Sequence, residues 1–347
     1  MSSPSARQVA LTLALATGIL LVAASLAAGQ KISARKPVLV TAMHARWAGE
    51  LDFSPDGTLL GMVSQDRVVV FDPRKDVEVA SVGIPRGGVC EITDAGCVFS
   101  PDGTLFAALR NQDVVVLEIA ANEIILHRSM SGFPFGSVGP AAFTADEKQL
   151  VIGGQCTQVF VLDIQSSEVV PSGVLAGGVV SIRKLPTDDL FAVGHFSGGV
   201  DVWNVESDRV EKFFPGCGTY SNSAEAWGDF LLIGCGAHEI RLWDIHSNDR
   251  PIGSLEYLFL AHTVSVARDA GIVFGASGKA RAEEAEGPAV PLLALFDLVT
   301  RERLTAWAAH DSRGILETAI SSDGKLMASL GYDGELKVWR WPPGPER

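Results

Sequence analysis

From about residue 37 onward, apolar and polar positions alternate with a period of two, as where Ile240 and Leu242 fall on one side of an extended segment and Arg241 and Trp243 on the other. Such segments are short and lie between recurring turn signals. Phe53-Ser54-Pro55-Asp56-Gly57 returns as Phe99-Ser100-Pro101-Asp102-Gly103, in reduced form as Phe143-Thr144-Ala145-Asp146, and last as Ser321-Ser322-Asp323-Gly324. Proline presets φ, and Asp-Gly admits the positive φ of a tight turn. After each signal comes an apolar strand, a polar turn and a second strand rich in β-branched residues: Val68 to Phe71, Val114 to Leu117, Val159 to Leu162 and Leu336 to Trp339. The same second-strand pattern stands at Val200 to Trp203, Ile240 to Trp243 and Leu293 to Phe296, after weaker turns.

The bulky residue near the end of each such strand serves as a ruler: Phe71, Leu117, Leu162, Trp203, Trp243, Phe296 and Trp339, spaced by 46, 45, 41, 40, 53 and 43 residues. Seven units of about 44 residues fill the chain beyond residue 36 and leave no room for a second domain. Helical repeats of similar length need apolar positions three and four apart, so a period of two argues against an α-solenoid. Short strands in units of this size predict an all-β fold of radial blades.

The repeats resemble those of the WD40 family of β-propellers over residues 37–341. Trp243-Asp244 is the literal dipeptide; Phe71-Asp72, Leu162-Asp163 and Phe296-Asp297 keep the Asp, while Trp203-Asn204 and Trp339-Arg340 keep the Trp. The last unit matches best, with Ala309-His310 before it, Ser329 in its second strand, Asp333-Gly334 in the next turn and Trp339 at its end. In the family those residue types form a buried relay from Asp to His to Ser to Trp. The resemblance therefore implies a structural role for His310, Ser329, Asp333 and Trp339, rather than a catalytic one. His44 and His262 hold the equivalent place before the first and sixth units, which lack the Ser and Trp. The resemblance also implies a seven-bladed propeller closed by an N-terminal strand. Pro37-Val38-Leu39-Val40-Thr41 is an orphan strand ahead of the first unit, and the last unit stops at Trp341-Pro342-Pro343, where proline cannot continue a ladder.

The net charge of -13 becomes -17 beyond residue 36, because the first 36 residues carry Arg7, Lys31, Arg35 and Lys36 and no acid. Such a surface repels phosphate backbones, and no nucleic-acid partner is expected. Five cysteines (Cys90, Cys97, Cys156, Cys217 and Cys235) show no CxxC spacing and read as scattered thiols. Cys90 with Cys97, or Cys217 with Cys235, remain open as pairs in an oxidising compartment.

Val9 to Ala28 is uncharged and, as one apolar helix at about 1.5 Å per residue, reaches roughly 30 Å, the thickness of a hydrocarbon core. Two readings stand for residues 1–36. One is a single-pass anchor, supported by the length of the run and by Lys31, Arg35 and Lys36 after it, with a slight preference for the C-terminal side inside. The other is a signal peptide cleaved near residues 27–29, supported by Arg7 and the small residues at Ala27-Ala28-Gly29. Residues 37–341 form the propeller and 342–347 a tail.

Motifs of catalysis are missing: there is no GxSxG and no HExxH, and the seven histidines are dispersed without metal-ligand spacing. Gly275 to Ala280 only faintly resembles a phosphate loop and reads as a strand end. No catalytic, cofactor-binding or metal-binding residue is therefore expected. Long Gly-rich loops at residues 83–90, 129–139 and 214–222 present Arg86, Phe133, Phe135, Phe214 and Tyr220 as candidate partner-binding residues, or as caps folded back on blade edges. The sixth unit carries a polar insertion at Lys279 to Pro288. The expected function is a non-enzymatic scaffold for protein or peptide partners at or beyond a membrane. The alternative is an extracytoplasmic propeller enzyme or small-ligand sensor that uses the axial channel.

Overall fold

The computed structural model describes residues 36–341 apart from 46–48, 65, 85–94, 111, 134–137, 155–156, 176, 188, 197, 217–223, 236–238, 248–249, 257–260, 278–291 and 311–313. The N-terminal apolar segment, the Lys279 to Pro288 insertion and the tail lie outside the described residues, as do Arg86, Phe135 and Tyr220.

The described strands form seven antiparallel four-stranded sheets, here blades 1 to 7. Their first strands are Leu51–Phe53, Ala95–Phe99, Val138–Phe143, Val179–Lys184, Ala224–Trp227, Ala261–Ala267 and Ile315–Ile320. Each of these touches the first strand of the next blade, and the last touches the first, so they line one closed ring. Blades 1 to 6 add three further strands outward in chain order. Blade 7 adds Leu326–Gly331 and Glu335–Arg340, and its fourth strand is Val38–His44, which pairs antiparallel with Glu335–Arg340.

No blade has a core of its own. The buried apolar residues fall into seven clusters, each between two consecutive blades. The period of two is the cause, since alternate side chains of one strand face opposite neighbours. Val69 and Phe71 of blade 1 pack toward blade 7, whereas Val68 and Val70 pack toward blade 2. The seven ruler residues, Phe71 to Trp339, each sit in a different cluster and face the preceding blade.

The recurrent turn signal joins first and second strands. Ser54 Oγ donates to Asp56 Oδ1 at 2.6 Å and accepts the Leu59 N–H at 2.9 Å, while Gly57 holds φ at 67°. Ser100 and Asp102 repeat the arrangement, as do Thr144 with Asp146 and Ser321 with Asp323. In the third copy Glu147 takes the left-handed conformation held by glycine elsewhere, at φ 62°.

Candidate functional site

A cavity of about 680 Å³ runs along the ring axis, with side chains contributed by all seven first strands and the segments beside them. Its polar lining is dominated by charge: Glu50, Asp52, Glu225 and Glu317 against Arg183, Lys184 and Arg268. Each first strand is the innermost of its sheet, so its unpaired edge borders the axis and the side chains beside that edge reach the cavity.

Arg183 of blade 4 clamps Glu225 of blade 5, with Nε and Nη2 both 2.7 Å from Oε1. Burial works against the Arg183 charge, but Glu225, Glu50 and Asp52 outweigh it and hold its pKa above the ordinary value. Glu50 Oε2 accepts the Cys97 N–H and Asp52 Oδ2 the Phe99 N–H, both at 2.8 Å and both from blade 2. Burial nevertheless raises Glu50 to about 7, against the pull of Arg183 and the Cys97 N–H. It raises Asp52 to about 6, against the Phe99 N–H, Arg183 and Arg268. Glu317, on blade 7, is pushed to about 8 by burial and by the Glu50 charge, with the Thr318 N–H opposing. Thr263 and Thr318 join hydroxyls across the seam between blades 6 and 7. Cys97 is a free, buried thiol with its pKa raised by burial and by Glu50 and Asp52, so it is not paired with Cys90. Chemically, the cavity holds carboxyl groups that exchange protons near neutrality, and a cation entering it would draw those protons off. Among the described residues no cluster of His, Cys, Asp or Glu has the make-up to hold a metal ion.

The four residues of the implied relay lie together inside blade 7. Trp339 Nε1–H donates to Ser329 Oγ at 3.1 Å, and Ser329 Oγ lies 2.9 Å from His310 Nε2. His310 Nδ1 is 3.1 Å from both carboxylate oxygens of Asp333. Burial lowers the His310 pKa despite Asp333, which suits a neutral ring that donates from Nδ1 and accepts the Ser329 hydroxyl at Nε2. Within this relay the Trp339 N–H, the Ser329 hydroxyl and both His310 nitrogens each find a partner. Among the described residues, blade 5 lacks the serine of this relay: Ile233 stands where Ser329 stands in blade 7, and Trp243 Nε1 is buried without a partner. His44 is exposed, and the side chain of His262 lies outside the described residues.

Of the candidate partner-binding residues, two are described. Phe133 is half-buried and meets Phe160 edge-on, with ring centroids 5.6 Å apart. Phe214 is a correction: it ends the fourth strand of blade 4 rather than opening a loop, is only 1 % exposed, and packs edge-on against Trp243 of blade 5. Its neighbour Phe213, one residue out of phase, is the exposed ring at 51 %. Gly275 to Ser277 lie in the second strand of blade 6, a strand end as the sequence suggests.

Sequence reasoning missed the axial cluster, because Glu50, Asp52, Arg183, Glu225 and Glu317 come from four blades and share no motif. It also missed His195 and Asp201, buried in blade 4 with Nε2 and Oδ2 2.9 Å apart. An His six residues before an Asp across a hairpin turn was the only signal.

The profile of the family described as WD domain, G-beta repeat matches residues 301–340, which span the fourth strand of blade 6 and the first three strands of blade 7. Together with the seven-bladed ring, this match supports a WD40-repeat propeller. No curated protein matches it. WD40 propellers are typically non-enzymatic and serve as protein-interaction scaffolds, which sets the class of function to consider for this one.

Proposed function

We infer that this WD40 propeller is a non-enzymatic scaffold that holds protein or peptide partners at or beyond a membrane. One observation carries the reading: four charged groups of the axis are engaged as rivets between blades. Glu50 and Asp52 bond the backbone of the next blade, and Arg183 clamps Glu225 across another seam. Groups so engaged stiffen a ring, and a stiff ring displays loops with little ordering cost on binding. Residues 1–36 give the membrane part of the reading, as an anchor or a cleaved signal; among the described residues no helix is long and apolar enough to cross a bilayer.

A second reading, a ligand receptor or acid–base site in the channel, is favoured by one feature. Glu50, Asp52 and Glu317 are raised to about 7, 6 and 8, the range in which a carboxyl group works as a general acid near neutrality.

Cross-linking of the tagged full chain in its own membranes separates the two. The scaffold reading expects a reproducible set of proteins that is lost with Phe133→Ala and Phe135→Ala and kept with Glu50→Gln and Glu317→Gln. Enrichment no greater than a tag-only control overturns it. A small-molecule thermal shift abolished by Glu317→Gln would favour the channel instead. Protease protection of intact vesicles, with N-terminal sequencing, assigns the side and separates anchor from cleaved signal.

A further inference from the structure

The outer wall of the ring is uneven. Among the described residues, exposed large aliphatic side chains are densest on the fourth strands of three consecutive blades: Leu39 and Val40, beside Val38, on blade 7, Val77 and Val79 on blade 1, Ile124 and Ile125 on blade 2, all between 37 % and 52 % exposed, whereas the fourth strands of blades 3 and 4 carry one each, Val170 and Val210. Val40, Val79 and Ile125 are equivalent positions. Each is the extra residue of a β-bulge where the fourth strand pairs with the third, the register skipping it between Leu39 and Thr41, opposite Val70/Phe71 and opposite Val116/Leu117. A bulge re-aims the side chain it inserts. The same position in blade 4 is Glu211, and in blade 6 it is Leu304, which packs against the core.

These three strands make one continuous face. Thr41 Oγ1 donates to Asp76 Oδ1 at 3.2 Å, joining blade 7 to blade 1, and the Ser81 N–H donates to Asn122 Oδ1 at 2.9 Å, joining blade 1 to blade 2. Two acids beside this face are neutralised in place, Glu78 by Arg67 and Asp72 by Lys75, each pair at 2.9 Å.

The chain leading into this face says what covers it. The fourth strand of blade 7 begins at Val38, ten residues after the end of the uncharged Val9 to Ala28 run, and Lys31, Arg35 and Lys36 stand between. Ten residues extend at most about 35 Å. We propose that the outer wall of blades 7, 1 and 2 rests on a zwitterionic lipid surface, with its bulged aliphatic side chains at the boundary of headgroups and acyl chains. This rests on the anchor reading of residues 1–36. A patch of six half-exposed aliphatics binds lipid weakly by itself, and tethering supplies the effective concentration that keeps it there. The charge of -17 beyond residue 36 selects against anionic lipid.

The test uses the full chain in phosphatidylcholine vesicles, with Cys90, Cys156, Cys217 and Cys235 replaced by Ser and the buried Cys97 kept. Nitroxides are attached at Val79→Cys, Ile125→Cys and, as a control on blade 6, Val299→Cys, and unchanged thermal unfolding certifies each fold. Labels at 79 and 125 should gain accessibility to oxygen and lose accessibility to a water-soluble nickel chelate by at least threefold relative to 299. Equal accessibility at all three sites in vesicles that carry the protein on flotation overturns the wall and leaves the anchor standing. Failure to float, with a chain beginning near residue 29, overturns the anchor and the wall together. Protection at 79 and 125 from oxygen as well as nickel, with dipolar broadening between labels, identifies a second copy as the occupant and overturns the lipid assignment.

Discussion

Asn122 accepts the Ser81 N–H at 2.9 Å, and the two residues belong to different blades. Asn122 sits in the turn between the third and fourth strands of blade 2 with φ at 55°, the left-handed conformation. Asp208 repeats the role at φ 53°, accepting from Gly173 N and Ser172 Oγ of blade 3 at 2.6 and 2.9 Å. Asp76, at φ 57°, receives Thr41 of blade 7. The outer rim is thus stitched by turn residues whose short polar side chains tolerate this backbone and reach backward to the preceding blade.

Asn122→Gly keeps the turn comfortable but deletes the stitch, and it should cost about 1 kcal/mol in urea denaturation. Asn122→Ala should cost more than Asn122→Gly, since Ala loses the stitch and dislikes positive φ. Equal stability of wild type and both variants would mean that the stitch contributes nothing.

Within the relay, Ser329→Ala leaves the Trp339 N–H and His310 Nε2 buried without partners, at a cost of about 2 to 4 kcal/mol. Trp339→Phe should destabilise more than Trp243→Phe, because the Trp243 N–H already has no partner to lose. Thermal or urea unfolding of the three variants checks the order.

The parity of the adjacent phenylalanines gives a sharper contrast. Phe214→Ala empties a site packed against Trp243 and should cost about 3 to 5 kcal/mol, while Phe213→Ala on the surface should cost under about 1 kcal/mol. Similar losses at both positions would contradict the strand register.

Stability should fall as pH rises from about 5 to about 8. Glu317 titrates near 8 in the folded chain and near its ordinary 4.5 when unfolded, so between those values the folded state binds more protons and the slope with pH is negative. Glu50 and Asp52 act in the same direction over narrower windows, up to about 7 and about 6. Glu317→Gln should therefore stabilise the protein at pH 9 by up to about 5 kcal/mol and leave it nearly unchanged at pH 4. Urea midpoints at the two pH values decide it; a gain at pH 4 as large as that at pH 9 would assign the effect to packing.

The legible parts of the molecule were those written locally. Phe53 to Gly57 and its copies announce turns, because Ser, Asp and Gly do their hydrogen bonding within five residues of one another. The ruler from Phe71 to Trp339 marks the blades, because a period-two strand with one bulky residue facing its neighbour must repeat wherever a blade repeats. Phe213-Phe214 was ambiguous in the sequence, since two like residues in succession carry no parity; only pairing of Phe214 with Val200 and Phe213 with Asp201 assigned the buried ring.

Sequence alone determined the sheet class, the size of the repeat and the number of repeats, for these follow from alternation and spacing along one strand of covalent chain. The tertiary structure decided the rest. It set Glu50 beside Cys97, Arg183 beside Glu225 and Glu317 within the field of Glu50, although the chain separates them by 42 residues or more. Their proton affinities come from burial and from one another, and neither exists until the ring brings the first strands of its blades around a common axis.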